Sequence, residues 1–167
     1  MAVILDDEFA CSVADYWDRV FLTEAYQERL HVEGLGFRSY CSIEHREDSR
    51  GCVHRVIEVA GVPGLPGVLQ RLIPGGGYVE KGRLVRAQDA WDFVIEPGGV
   101  GGRISIRGNV NLQPIGPERC RRTGEVRIEV RLPGLARQLS RSLTGLTELN
   151  QQRSAAFTHQ FIEELTG

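Results

Sequence analysis

The sequence is poor in the features that would tie it to a chemistry. Of its 20 basic residues only Lys81 is a lysine, and the formal charge is −2. A chain so nearly balanced has no general attraction for nucleic acid, and no nucleic-acid partner is expected. Arg121 and Arg122 adjoin, but Glu125, Arg127, Glu129 and Arg131 then alternate as on a solvated face. No run approaches the ~20 apolar residues of a membrane-crossing helix. No basic stretch leads into an apolar core at the start, so a cytoplasmic protein without a signal peptide is expected. Cys11, Cys41, Cys52 and Cys120 form no C-x-x-C pair. That spacing excludes zinc ribbons and thiol redox motifs and leaves small buried or half-buried hydrophobes.

Catalytic and nucleotide-binding signatures are missing as well. In GGGYVEKG, Lys81 is followed by Gly82 rather than Ser or Thr, so no P-loop forms, and GGVGG at 98–102 lacks dinucleotide-binding spacing. His31, His45, His54 and His159 give no H-E-x-x-H or H-x-H pair. There is no G-x-S-x-G elbow, and Asp89, Asp92 and Glu96 around Trp91 read as solvated turn residues. No catalytic residue, metal or cofactor is expected.

What is present describes a fold. With 167 residues, 41% hydrophobic and 25% charged, the chain reads as one globular domain over 1–167. Residues 2–10 form a first strand. Ser12 caps a short helix carrying Tyr16, Trp17, Val20 and Phe21, and Thr23 caps a second that Gly34 and Gly36 end. From Phe37 the period is two. Strands at 37–46 and 53–60 flank the turn DSRG, whose Gly51 suits an odd loop. That register places Phe37, Cys41 and Ile43 with Val53, Ile57 and Val59, and turns Tyr40 and Ser42 outward. Further extended segments run to Leu132, the clearest being Val126, Ile128, Val130 and Leu132 against charged neighbours. A long helix follows, with Leu135, Leu139, Leu143, Leu146, Phe157, Phe161 and Leu165 as its apolar stripe.

Strand, two short helices, antiparallel strands and a long last helix make an α+β arrangement. On these residues the chain resembles the START-like (SRPBCC) superfamily and its helix-grip fold, in which a curved antiparallel sheet wraps a C-terminal helix. The stretch GRISIRGNVNLQP with GEVRIEVRLPGLARQLSRSL is similar to an uncharacterised bacterial START-like family. Gly108 sits in its glycine-containing strand, and Gly124, Val126, Ile128 and Pro133 in its next strand. Gly134-Leu135-Ala136 replaces the paired glycines that often open the family's helix. The arrangement is distantly similar to PRELI-type phospholipid carriers. The resemblance implies a carrier of a hydrophobic small molecule or lipid, or alternatively a cyclase- or hydratase-like enzyme. An interaction module is a third reading.

A cavity between sheet and helix is where such a ligand would lie. The flap at 63–78, PGLPGVLQRLIPGGGY, reads as a short helix set between glycine hinges. It is either a gate over that cavity, and the point of any transient membrane contact, or a fixed plug. Candidate ligand-binding residues are Trp17, Arg55, Leu69, Leu72, Tyr78, Trp91, Asn150, Arg153 and Phe157. Each aromatic serves equally as core. Arg55, beside His45 on the concave side, either orients a ligand or pairs with a carboxylate. Asn150 and Arg153 lie three apart on or beside the helix's buried stripe. There Arg153 either pairs with Glu80 or another acid, anchors a ligand, or lies off the stripe in a different helix phase.

Overall fold

The computed structural model describes residues 1–167. Seven strands form one antiparallel sheet in the order β1-β7-β6-β5-β4-β3-β2. They are β1 (Ala2–Phe9), β2 (Ser39–Glu47), β3 (Cys52–Ala60), β4 (Tyr78–Val85), β5 (Ala90–Pro97), β6 (Ile104–Gly116) and β7 (Arg119–Val130). Two bent helices, α1 (Val13–Asp15, widening to a π-turn over Tyr16–Phe21) and α2 (Glu24–Arg29, likewise widened over Leu30–Gly34), follow β1. The short α3 (Gly67–Leu72) lies between β3 and β4, and α4 (Ala136–Thr166) ends the chain.

Local chemistry sets these boundaries. Ser12 and Thr23 are the caps of α1 and α2, their hydroxyls accepting from the amides of Asp15 and Tyr26. The widened turns close with i→i+5 bonds, Leu22 N to Trp17 O and Leu35 N to Leu30 O. The clean alternation along β7 faces as expected, with Val126 and Ile128 buried while Arg127 and Glu129 are exposed.

The register of β2 on β3 differs from expectation over half its length. The odd loop is there, with Gly51 at φ +76°, and His45 does face the same side as Arg55. A bulge between Ser42 and Glu44 then shifts the pairing, so Tyr40 opposes Val59 and Ser42 opposes Ile57. Tyr40 and Ser42 therefore turn inward, while Cys41 and Ile43, expected in the core, are exposed. One extra residue reverses the side chains of β2 beyond it, while Phe37, ahead of the strand, is buried as expected.

With 31 residues, α4 is roughly 46 Å long. Leu139, Leu143, Phe157 and Phe161 are its buried stripe. It packs mainly on β1, β7 and the end of α2. The middle strands face the same interior without α4 seated directly on them, and a cavity lies between.

Candidate functional site

Period-two alternation decides what enters the cavity. On β3, Val53, Arg55, Ile57 and Val59 face inward, and on β4, Tyr78, Glu80, Gly82 and Leu84 pair along the same side. Ile57 opposes Glu80 and Arg55 opposes Gly82, which makes Arg55 and Glu80 diagonal neighbours. Trp91 and Phe93 come from β5. A Cβ on Gly82 would overlap the Trp91 indole, and one on Gly108 would overlap the Phe93 ring. Two glycines thus let two aromatic rings lie against the sheet.

The cavity measures about 200 Å³, and 20 of its 32 lining residues are hydrophobic. Its aromatic walls are Tyr16, Phe21, Tyr26, Phe37, Tyr78, Trp91 and Phe93. Leu65, Ile73, Gly76 and Gly77 bring the 63–78 flap into the lining, with Val62 just ahead of it, and Leu143, Leu146, Asn150 and Ser154 bring α4.

Arg55 is 3% exposed. Its Nη1 donates to the Phe21 carbonyl at 3.0 Å, which also accepts from Gln27 Nε2 at 2.7 Å. That carbonyl ends the widened turn of α1. The guanidinium packs on the rings of Phe21 and Trp91, 4.5 and 4.6 Å from their centroids. Its Nη2 lies 4.0 Å from Glu80 Oε1, an ion pair too long to be a hydrogen bond. Burial pulls the Arg55 guanidinium below its ordinary value, and Glu80 only partly offsets this. Burial likewise raises the Glu80 carboxyl against the opposing effect of Arg55.

Other polar groups here are mostly satisfied. His31 Nδ1 bonds the Gln27 carbonyl at 2.7 Å, so Nδ1 carries the proton and Nε2 is an acceptor. Burial lowers its pKa to about 4. Thr158 Oγ1 donates to the Ser154 carbonyl, so its 2.8 Å bond with Tyr26 is donated by the tyrosine. Arg122, beside the same cavity, gives two bonds to Asp7 Oδ2, at 2.6 and 3.1 Å, and one to the Tyr16 hydroxyl. The exception is Asn150, whose buried Oδ1 has no partner.

Of the residues singled out from the sequence, Arg55, Tyr78, Trp91 and Asn150 line the cavity. Trp17, Leu69, Leu72, Arg153 and Phe157 do not. Trp17 is 2% exposed and donates its indole N–H to Asp89 Oδ1 at 3.1 Å, so that acid is more than a solvated turn residue. Leu69 is fully buried in the flap's own packing, where Gly99 comes close against the Leu72 carbonyl and Pro74. Phe157 packs against Gly34, Tyr26 and Arg29. Arg153 is exposed, because the stripe runs from Asn150 to Ser154 rather than to Arg153. The carboxylate Glu80 belongs to Arg55 instead.

Glu80, His31 and Arg122 were missed as site residues. Glu80 and Arg122 share strand parity with Leu84 and with Val126 and Ile128, a signal that the charge pattern concealed.

Over residues 5–162 the sequence matches the family described as "Protein of unknown function (DUF2505)". A search of curated proteins by sequence gives no match. Among solved structures, the fold is similar to the Zhui aromatase/cyclase from Streptomyces, with TM-score 0.69, 12% identity, and 100% of this chain and 96% of that one covered. It is similar to a START superfamily protein from Mycobacterium smegmatis, with TM-score 0.60, 13% identity and 98% of each chain covered. It is also similar to norcoclaurine synthase from Thalictrum flavum, whose structure holds dopamine and hydroxybenzaldehyde, with TM-score 0.64, 18% identity, and 98% and 87% covered. These likenesses establish the helix-grip, START-like fold. No helix is long and apolar enough to cross a membrane.

Proposed function

The chain belongs to the DUF2505 family, and on the geometry of its interior we propose that it binds a compact hydrophobic molecule between the sheet and α4. The observation that carries this reading is the aromatic-walled cavity of about 200 Å³. A cavity of about 150 Å³ in another protein is enough for benzene, whereas drug-sized ligands occupy roughly 300–1,000 Å³. A molecule of one or two rings fits this space. A long-chain lipid needs the flap displaced. The open interior also counts against a module whose core is packed solid and which works only through its outer face.

The flap is the gate in this reading. Gly64 at φ +80° and Gly75 at φ +63° bracket it, and Leu65 and Ile73 reach the cavity from it. In this closed arrangement none of its large apolar side chains is exposed, so any membrane contact would follow opening. Competing with the carrier is an enzyme on the same fold. Glu80 favours it, as a half-buried carboxylate with a raised pKa beside Arg55 in a cavity.

Native mass spectrometry of the purified protein, with organic extraction of whatever accompanies it, tests the reading. A stoichiometric small aromatic mass is the expected result. An empty protein that takes up no added hydrophobic molecule would remove the carrier. Turnover of a bound molecule that Glu80→Gln abolishes would favour the enzyme.

A further inference from the structure

The Arg55–Glu80 pair is incomplete in a specific way. Both groups line the cavity, yet Nη2 and Oε1 stand 4.0 Å apart and the Glu80 carboxylate has no hydrogen-bond donor. An oxygen about 2.8 Å from each atom would see them at roughly 90°, near the angle at which a hydroxyl accepts one bond and donates another. With Glu80 ionised opposite the guanidinium, the group that completes this pair accepts from Arg55 and donates to Glu80.

Few groups do both. A carbonyl accepts but has nothing to donate to Glu80. An ammonium donates but cannot accept from Arg55, and it would sit against a guanidinium. A hydroxyl satisfies both sides. The rings of Phe21 and Trp91 flank the same guanidinium, so the surroundings favour a flat aromatic body. Asn150 Oδ1, buried without a partner in the same cavity, is a second acceptor waiting for a donor.

We infer that the ligand is a phenol: a one- or two-ring aromatic whose hydroxyl bridges Arg55 and Glu80. This rests on the proposal that the cavity binds a ligand, and it names the chemical class. A lost bridge leaves two buried charged groups imperfectly paired, so discrimination against hydroxyl-free analogues should be large.

The test is isothermal titration of the full chain with 2-naphthol, 2-methoxynaphthalene, naphthalene and 2-naphthaldehyde. The expected result is 2-naphthol binding at least tenfold tighter than the other three. A double variant, Arg55→Met with Glu80→Met, keeps the volume while removing both charges, a replacement that buried ion pairs often tolerate. It should still bind naphthalene but lose the preference for the hydroxyl. Equal affinities for 2-naphthol and 2-methoxynaphthalene would overturn the inference while leaving the binding proposal intact. So would a tighter aldehyde, or a hydroxyl preference that survives in the double variant. Binding of none of the four would overturn the binding proposal itself.

Discussion

Two buried arginines face one interior, and they are solved differently. Arg122, 5% exposed, gives Asp7 two bonds and Tyr16 a third, and stacks on Phe9. Arg55 is buried as deeply, but its carboxylate stands at 4.0 Å and receives no bond. The protonation behaviour follows the geometry. Burial pulls both guanidinium groups down; at Arg122 the neighbours Tyr16 and Asp7 outweigh it, and at Arg55 burial prevails. A saturated pair of this kind holds β1, β7 and α1 together. An unsaturated one has capacity left for a ligand.

The largest loss is expected at Asp7. Asp7→Ala strands a buried guanidinium and should lower unfolding free energy by about 3–5 kcal/mol in urea titration. Glu80→Gln should lose about 1 kcal/mol or less, since no hydrogen bond to Glu80 is lost. Equal losses at the two sites would mean that the long pair is as structural as the short one.

A third buried group, His31, has given up its charge, and acid should expose the consequence. The unfolded imidazole takes up a proton below about 6.5, while the native one resists until about 4. The unfolded state then binds more protons in that window. His31's contribution is whole above the upper value and is lost as pH falls toward the lower one, by about 3 kcal/mol. Stability curves for wild type and His31→Gln should converge between pH 7 and 4. Parallel curves would place the acid sensitivity elsewhere.

The smallest effect has the opposite sign. Asn150→Leu removes an unpaired buried acceptor and should raise the stability of the ligand-free protein by about 1 kcal/mol, read as an increased thermal midpoint. A lower midpoint would show that the amide is already satisfied.

Much of the fold was legible because its signals are local. Ser12 and Thr23 announce two helix starts, and Val126 to Leu132 announce a strand with one buried face. The site was less legible because it depends on offsets. The bulge after Ser42 adds a single residue and sends Cys41 and Ile43 outward. On α4 a phase difference of one residue separates Ser154, which lines the cavity, from exposed Arg153. Leu69 and Leu72 sit on the flap as expected, yet which way a six-residue helix turns its apolar side depends on the β5–β6 loop packed against it. Arg122 and Glu80 hid in plain parity, because a charged residue on a strand is read by default as solvated.

The bulge in β2 also bears on how copies of this chain behave toward one another. β2 is an edge of the sheet, with unpaired backbone groups along one side. A straight edge would offer a second molecule a template for strand addition. Here the ladder breaks at Ile43, and Glu44, Arg46 and Glu47 crowd the exposed stretch beyond it. The irregularity that defeats the sequence pattern thus also interrupts the regular edge that strand addition by a second copy would require.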